Sequence, residues 1–212
     1  MPTEVEAKFR ADGPGPLLLL ASAPTLGRAT LGAATTVTEI DRYLDTSGDL
    51  LAAALWACRL RSRGGEIRVS LKGPAEGTSA DWLHRRPEVE GPATKSLDPG
   101  DWPRSEARVF LDELRGGEPL EERFELQQRR TERPVAVDGA ALGLLSLDAV
   151  EVRRDGHRLG ELFVVELELT GEGGADAVRH LQALAEALQQ RPGLSPDPRT
   201  KLEHALELLG SR

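Results

Sequence analysis

Residues 3–9, near the N-terminus, alternate charged and apolar side chains. Because side chains point to alternate faces of a strand, Glu4, Glu6 and Lys8 would share one face. Two carboxylates and an ammonium group at this spacing could hold a divalent cation beside a phosphate. The same three residues could also form the solvated face of an edge strand.

The same alternation recurs in several later segments. Each of them places charged side chains on one face, opposite Cys, Leu, Val or Ile on the other. These charged faces comprise Arg59, Arg61 and Arg63; Glu66, Arg68, Ser70 and Lys72; Arg86, Glu88 and Glu90; and Glu166 and Glu168. A solvated sheet face usually mixes Lys, Thr, Ser and Gln, so the dominance of Arg and Glu is what favours a binding site.

The strands that must position these residues are separated by turn signals. Gly64-Gly65 joins two alternating runs as a hairpin, and Asp138-Gly139 and Asp155-Gly156 separate the last three long runs. The predicted strands are 3–9, 35–45, 55–63, 66–72, 82–90, 122–137, 142–153 and 158–170, and the predicted helices are 17–23, 50–54, 105–114, 175–190 and 199–209. This order predicts an α+β fold in which residues 1–212 form a single domain, with a linker at 192–198. Eight antiparallel strands can close into a barrel.

Which strand face lies inside stays open on the pattern alone. With apolar faces inward, helices 175–190 and 199–209 would have no apolar surface to cover. With charged faces inward, those helices cover apolar outer faces, and the interior must be hydrated, ion-paired and normally filled by ions. Such an interior suits a metal–polyphosphate complex.

The composition of the chain disfavours several classes of function. The 212 residues carry a net charge of −8, which disfavours a general nucleic-acid surface but allows a local basic pocket. The single cysteine, Cys58, excludes a disulfide framework and a cysteine metal site. We expect a cytoplasmic protein without membrane contact, because neither a signal peptide nor a spanning segment is visible. His84, His157, His180 and His204 lack metal-ligand spacing, and we expect them in surface or core roles.

Several motifs together resemble the CYTH superfamily of triphosphate tunnel metalloenzymes. The N-terminal Glu-x-Glu-x-Lys strand is the family's hallmark, and the resemblance extends over nearly the whole chain. The further matching segments are Tyr43-Leu44-Asp45-Thr46, Arg59-Leu60-Arg61, Leu71-Lys72-Gly73-Pro74, Arg86-Pro87-Glu88-Val89-Glu90, Leu147-Asp148, Glu166-Leu167-Glu168 and Thr200-Lys201-Leu202-Glu203. Arg130 matches a substrate arginine of the sixth strand, although Arg129 and Arg133 lie close by.

This resemblance implies a closed eight-stranded antiparallel barrel, with helices outside, that binds a triphosphate-containing small molecule together with Mg²⁺ or Mn²⁺. Positioning and charge neutralisation are the main needs of phosphoryl transfer. The implied metal ligands are Glu4, Glu6, Asp148, Glu166 and Glu168, and the implied phosphate ligands are Lys8, Arg59, Arg61, Lys72, Arg86, Arg130 and Lys201. Glu6, Glu88, Glu90 and Glu168 are the catalytic candidates, with Glu88 and Glu90 as metal or water partners or as supports for the arginines. A monomer or a homodimer is expected.

The main hypothesis is therefore metal-dependent hydrolysis of inorganic triphosphate or a related triphosphate. A class IV-type adenylate cyclase ranks lower, because no residues are clearly dedicated to a base. A non-catalytic polyphosphate- or nucleotide-binding module is the alternative from another class. Asp45 is expected to cap a turn more readily than to touch substrate.

The sequence also predicts how the last helix begins. Asp197 is expected to cap it, with Pro198 in its first position. Lys201 would then lie near the helix N-terminus, where a nearby anion would offset its unfavourable interaction with the helix dipole. We therefore expect this helix to plug or flank one barrel mouth and Lys201 to contact the triphosphate.

Overall fold

The computed structural model describes residues 3–75, 81–171 and 174–210. In this part of the chain the strands are β1 (Thr3–Ala11), β2 (Thr25–Leu26), β3 (Ala29–Leu31), β4 (Thr35–Thr46), β5 (Ala57–Arg63), β6 (Glu66–Lys72), β7 (Leu83–Pro92), β8 (Leu120–Val137), β9 (Ala140–Arg154), β10 (His157–Leu169) and β11 (Leu194–Pro196). The eight long strands agree with the predicted ones to within a few residues. The short strands β2, β3 and β11 were not predicted, and β11 lies in the segment that was expected to be a linker.

Five α-helices accompany the strands within the described residues. They are α1 (Pro14–Ser22), α2 (Leu50–Ala53), α3 (Glu106–Arg115), α4 (Ala175–Gln189) and α5 (Lys201–Gly210). Ser105 caps α3 as predicted, since its side-chain oxygen accepts a hydrogen bond from Arg108 N at 3.1 Å. No helix in the described residues is both long enough and apolar enough to cross a membrane.

The long strands close on themselves. They follow one another in the order β8-β4-β5-β6-β7-β1-β10-β9, and β9 pairs again with β8. All of these pairings are antiparallel. The expected eight-stranded antiparallel barrel with helices outside it is therefore confirmed.

Alternation along the strands sorts the side chains by chemistry. The apolar residues of β1, and Val165, Leu167 and Leu169 of β10, face outward. They pack with leucines of α4 and α1. The apolar residues of β5, β6 and β7 pack in the same way against α2 and α3. The opposite face of each strand points into the barrel. Most of the charged residues identified in the sequence lie on that face.

The last helix lies at one barrel mouth, as expected, and does not lie against an outer strand face. Positions on β8, β9 and β10 that share the inward face become apolar toward one end of the barrel, and α5 packs there through Ala205 and partly buried leucines. The apolar inward residues are Tyr43, Phe124, Leu126, Val150, Val152, Leu162 and Val164. Helix α5 thus closes one end of the barrel, whereas α4 covers an outer face. Gly160 leaves room for it, because a Cβ atom there would lie 2.8 Å from Leu208.

The start of α5 also differs from the prediction. The helix begins at Lys201, and the capping residue is Thr200. Thr200 Oγ1 accepts from Glu203 N at 3.1 Å, and Glu203 Oε2 accepts from Thr200 N at 2.6 Å. This reciprocal pair is a capping box. Asp197 instead accepts from Arg199 N at 3.1 Å in the turn before the helix.

Arg133 points away from the barrel interior and is buried among backbone carbonyls. Its guanidinium donates to the carbonyls of Leu20, Ala21 and Ala23 at the end of α1, and to those of Leu31 and Gly32 at the end of β3. Arg133 is 6% exposed, so these carbonyls have little access to water. The side chain therefore ties α1 and β3 to β8. It is not available to bind a ligand inside the barrel.

Replacing Arg133 by Met should lower the free energy of unfolding by about 2–4 kcal/mol, because several buried carbonyls lose their donor at once. The matched control is Arg129→Met, an exposed arginine on the same strand, which should change stability by less than about 0.5 kcal/mol. Urea unfolding of the two variants measures the difference. Equal effects would contradict a structural role for Arg133.

Candidate active site

The acidic group of the interior consists of Glu4, Glu6 and Glu168. Glu6 on β1 stands opposite Glu168 on β10 in the strand register, and Glu4 follows on the same face of β1. Glu4 accepts from Lys72 Nζ at 2.6 and 2.8 Å and from Arg86 Nε at 2.9 Å. Within the described part of the chain, Glu6 has one ion pair, with Arg86 at 3.3 Å. Glu168 forms no hydrogen bond or ion pair with any described residue.

The pKa values follow this unequal pairing. Burial alone would raise the pKa of Glu4, but Lys72 and Arg86 together outweigh burial and lower this pKa to about 2. Burial raises the pKa of Glu6 to about 7, and the negative charges of Glu4 and Glu166 add to the effect. Burial and the Glu4 carboxylate also raise the pKa of Glu168. Buried Glu6 thus lacks sufficient compensating positive charge, whereas Glu168, which faces it, is exposed and has water as well as the protein around it.

The basic group of the interior consists of Lys8, Arg130 and Lys201, arranged around Asp148 and Glu166. Lys201 Nζ donates to Asp148 at 2.6 Å and to Glu166 at 2.7 Å. Arg130 meets Asp148 with two parallel bonds of 2.8 and 2.7 Å and Glu166 with one of 3.1 Å. Lys8 Nζ lies 3.6 Å from Glu166. Asp148 and Glu166, predicted as metal ligands, are therefore fully paired with cations in this state.

Electrostatics agree with that pairing. Burial opposes the charged forms of Asp148 and Glu166, but Arg130 and Lys201 respectively lead the cations that overcome it and lower both pKa values. Burial would lower the pKa of Lys201, yet Asp148 and Glu166 raise it. Among these five residues of the basic group and its carboxylates, burial prevails at Lys8, whose pKa is lowered.

A further layer contains residues that the sequence reasoning missed. Arg61 binds Asp41 through two bonds of 2.8 Å, and Gln128 donates to Asp41 at 2.8 Å and to Glu39 at 3.1 Å. Arg59 lies 3.4 Å from Asp41. Arg63, which the sequence placed on the charged face without a role, bridges Glu39 and Glu132. The alternation of Glu39, Asp41 and Tyr43 along β4 was the signal that could have identified this layer.

Glu88 and Glu90 occupy different surroundings. Glu88 accepts from Ser70 Oγ at 2.5 Å and lies 3.3 Å from Lys72 Nζ, close to the acidic group. Glu90 is exposed and pairs with Arg68 at 3.4 Å, and it makes no ion pair with a predicted site residue among the described residues. The structure thus brings Glu88 into the site and leaves Glu90 at its rim.

The remaining candidates have structural positions. Asp45 accepts hydrogen bonds from the backbone N–H groups of Thr46, Leu51 and Ala52, so it caps the turn that leads into α2, in keeping with the expectation that it caps a turn. Cys58 is buried among apolar neighbours, and burial raises the pKa of its thiol. Of the three neighbouring arginines, Arg130 is the one that faces the interior.

The acidic group suits a divalent cation by its chemistry, because hard cations prefer carboxylate oxygens. Glu6 and Glu168 carry negative charge that nearby cations compensate poorly, which a metal ion would correct. Among the described residues, however, no three Asp, Glu, His or Cys side chains are grouped closely enough for a preformed metal site. Both oxygens of Glu4 are directed at Lys72 and Arg86. Glu4 would have to leave them to complete the set.

A family model for the CYTH domain matches residues 2–205. The chain belongs to the CYTH domain family. Solved structures similar to this CYTH protein include a candidate adenylyl cyclase from Hippeastrum described as having a dominant triphosphatase activity, with 20% identity, a TM-score of 0.68 and coverage of 96% of this chain and 95% of that one. No curated protein matches this chain at a significant level.

Two other solved structures have the same fold. One is a candidate adenylate cyclase from Bacillus halodurans, with 18% identity, a TM-score of 0.59 and coverage of 96% and 98% of the two chains. The other is the Mimivirus capping enzyme triphosphatase, with 10% identity, a TM-score of 0.52 and coverage of 90% of each chain.

Glu6→Gln in this CYTH protein should show how much the ionised carboxylate of Glu6 lowers the free energy of unfolding. Because the native pKa of Glu6, about 7, exceeds the ordinary value of 4.5, the native state loses stability as the pH rises between these values. The variant avoids that loss. We expect it to raise the free energy of unfolding by roughly 1–3 kcal/mol at about pH 8 and to change it little near pH 4.5. Urea unfolding in chelator at both pH values is the measurement; a pH-independent difference would contradict this view.

Proposed function

We propose that this CYTH protein hydrolyses a triphosphate in its barrel interior with the help of Mg²⁺ or Mn²⁺. The observation that carries the proposal is the uneven distribution of charge between the acidic group and the basic group. An undercompensated pair, Glu6 and Glu168, lies beside a cluster of Lys8, Arg130 and Lys201. In a complex of a divalent cation with a triphosphate, the cation would face the acidic group and the phosphates would face the basic group.

The chain's own residues can perform most of the work that hydrolysis needs. Water attacks a phosphorus atom of the triphosphate, the anhydride bond breaks, and two shorter phosphates leave. Arg and Lys side chains hold the phosphate oxygens in place and neutralise their charge. A cation held by Glu4, Glu6 and Glu168 would add Lewis-acid stabilisation of that charge. Lys8, at the side of the basic group next to Glu6 on β1, and Arg86, which pairs with Glu4 and Glu6, can contact either part of such a complex.

Binding of the triphosphate and of the cation should be coupled through Glu4. In the ligand-free barrel, Lys72 and Arg86 occupy the Glu4 carboxylate. If these two cations turn to the phosphates, the oxygens of Glu4 become available to the metal ion. Each ligand would then improve the site for the other, which is the reciprocity that linkage requires.

Two solved neighbours support this chemistry over a non-catalytic role. The Hippeastrum protein is described as having a dominant triphosphatase activity, and the Mimivirus protein is described as a capping enzyme triphosphatase. Both descriptions apply to those proteins. They favour hydrolysis as the first reaction to test here, and cyclisation of ATP as the second.

The deciding assay gives the purified protein inorganic triphosphate, ATP or thiamine triphosphate with Mg²⁺ or Mn²⁺, and follows both phosphate and cyclic AMP. We expect phosphate release that chelator abolishes. Glu168→Gln should lower kcat/KM by at least about 100-fold, because charge in the transition state loses its counterpart. Glu161→Gln, an exposed outward position on the same strand, is the matched control and should remain near wild type.

Full turnover in excess chelator would overturn the metal-dependent mechanism. Release of cyclic AMP as the main product from ATP would favour a cyclase instead. Binding of triphosphate without turnover of any substrate would favour the binding module. Melting curves of each variant show whether a lost activity reflects a lost fold.

Lys72→Met tests the proposed exchange at Glu4. Without Lys72, Glu4 keeps only Arg86, so the metal ion alone should bind about tenfold tighter than to the wild type, although kcat/KM for triphosphate should fall. Titration calorimetry with Mn²⁺ in the absence of triphosphate measures the affinity. Lys95→Met, an exposed lysine outside the barrel, is the control. Weaker Mn²⁺ binding by Lys72→Met would contradict the exchange.

A further inference from the structure

Asp197 is surrounded by hydrogen bonds that the proposed chemistry does not use. Its backbone carbonyl accepts from His84 Nε2 at 2.8 Å, and its carboxylate Oδ2 accepts from His204 Nε2 at 2.7 Å. Its backbone N–H donates to the carbonyl of Lys8 at 3.1 Å, and Oδ1 accepts from Arg199 N at 3.1 Å. A carbonyl can only accept, so His84 carries its proton on Nε2. We call His84, Asp197 and His204 the latch.

The latch joins three parts of the barrel. His84 lies on β7, Lys8 lies on β1 among the interior residues, and His204 lies on α5. Asp197 itself follows β11, which pairs with β1 through Leu194, Ser195 and Pro196. The segment between β11 and α5 is therefore held to the barrel by several contacts at one residue.

The latch also fixes the face that α5 turns toward the barrel. Lys201 and His204 are three residues apart, so they lie next to each other on one side of the helix. Both are buried. With His204 bound to Asp197, the helix cannot rotate without breaking that hydrogen bond, and Lys201 stays directed at Asp148 and Glu166.

Packing alone does not account for these residue types. Asp197, His204 and His84 are 3%, 3% and 4% exposed, and burying such polar groups is unfavourable unless each is hydrogen-bonded. Apolar side chains would hold the helix on the barrel without that cost. A fully satisfied polar network, in contrast, specifies one orientation. The latch therefore points to a requirement for precise placement of α5.

We propose that Asp197 and His204 are positioning residues that hold Lys201 in the barrel interior, in register with Asp148 and Glu166. The consequence for catalysis rests on the proposed function, whereas the position of Lys201 can be measured without it. Asp197 and His204 make no contact with the acidic group. They act on the site through the orientation of α5.

Two variants of His204 separate hydrogen bonding from packing. His204→Gln keeps an N–H donor near the position of Nε2 and should behave like the wild type. His204→Leu keeps bulk but loses the donor. In the ligand-free protein, limited acetylation followed by peptide mass spectrometry should show Lys201 reacting about tenfold faster in His204→Leu, because a released α5 exposes the amine. Ser105→Ala, which removes a helix cap on α3, controls for general loosening.

Kinetics with triphosphate supply the second readout. His204→Leu should lower kcat/KM about tenfold, the scale expected when a binding group is misplaced. In a Lys201→Ala background the same change should have almost no further effect, because the two residues act through one contact. Unchanged reactivity of Lys201 in His204→Leu, or a kinetic loss that persists in Lys201→Ala, would overturn the positioning role. Absence of triphosphatase activity in the wild type would count against the proposed function only, since acetylation would still decide the latch.

Discussion

A buried ionised side chain is stable only beside groups that compensate its charge, and the interior of the barrel obeys this constraint almost throughout. Asp148 is completely buried, yet it lies between Arg130 and Lys201. Asp41 is equally buried and binds Arg61 with two parallel bonds. These pairs form because neighbouring strands carry opposite charges at facing positions. Closure of the barrel would otherwise be prohibitively unfavourable.

The exceptions to this balance are informative because they are few and adjacent. Among the described residues, buried Glu6 has one long ion pair, and Glu168, which faces it from an exposed position, has none. Burial is the main cause of both raised pKa values, and the carboxylate of Glu4 adds to each. Such raised pKa values are typical of functional sites, where electrostatic strain is relieved by a ligand. The acidic group is therefore the part of the interior in which nearby cations no longer neutralise every carboxylate.

Much of the fold could be predicted from alternation, because a single barrel face imposes the same period on every long strand. This reasoning placed Glu4, Glu6 and Lys8 together and identified the hairpin at Gly64-Gly65. It could not separate Arg129, Arg130 and Arg133, which occupy both faces of β8, since only the register with β4 and β9 fixes their directions. The ion pairs themselves depend on that register too. Sequence could therefore name the charged residues without showing which ones neutralise each other.

Helix α5 shows a second limit of prediction from the sequence. An amphipathic helix reveals that it covers an apolar surface, but its pattern does not reveal which surface. On β8 the inward face changes from Phe124 and Leu126 to Gln128 and Arg130, and only the folded barrel shows that these belong to one continuous wall. The short strand β11 escaped prediction because three residues carry too little periodicity.

The closed end makes the interior depend on elements that lie far apart in the sequence. Glu4, Glu6 and Lys8 come from the first strand, whereas Lys201 comes from the last helix. If α5 left the barrel, Asp148 and Glu166 would keep only Arg130 and Lys8 as partners, and the apolar wall around Phe124 would be exposed. Docking of α5 and neutralisation of these two carboxylates therefore stabilise each other. A charged interior of this kind is complete only when the whole chain has folded around it.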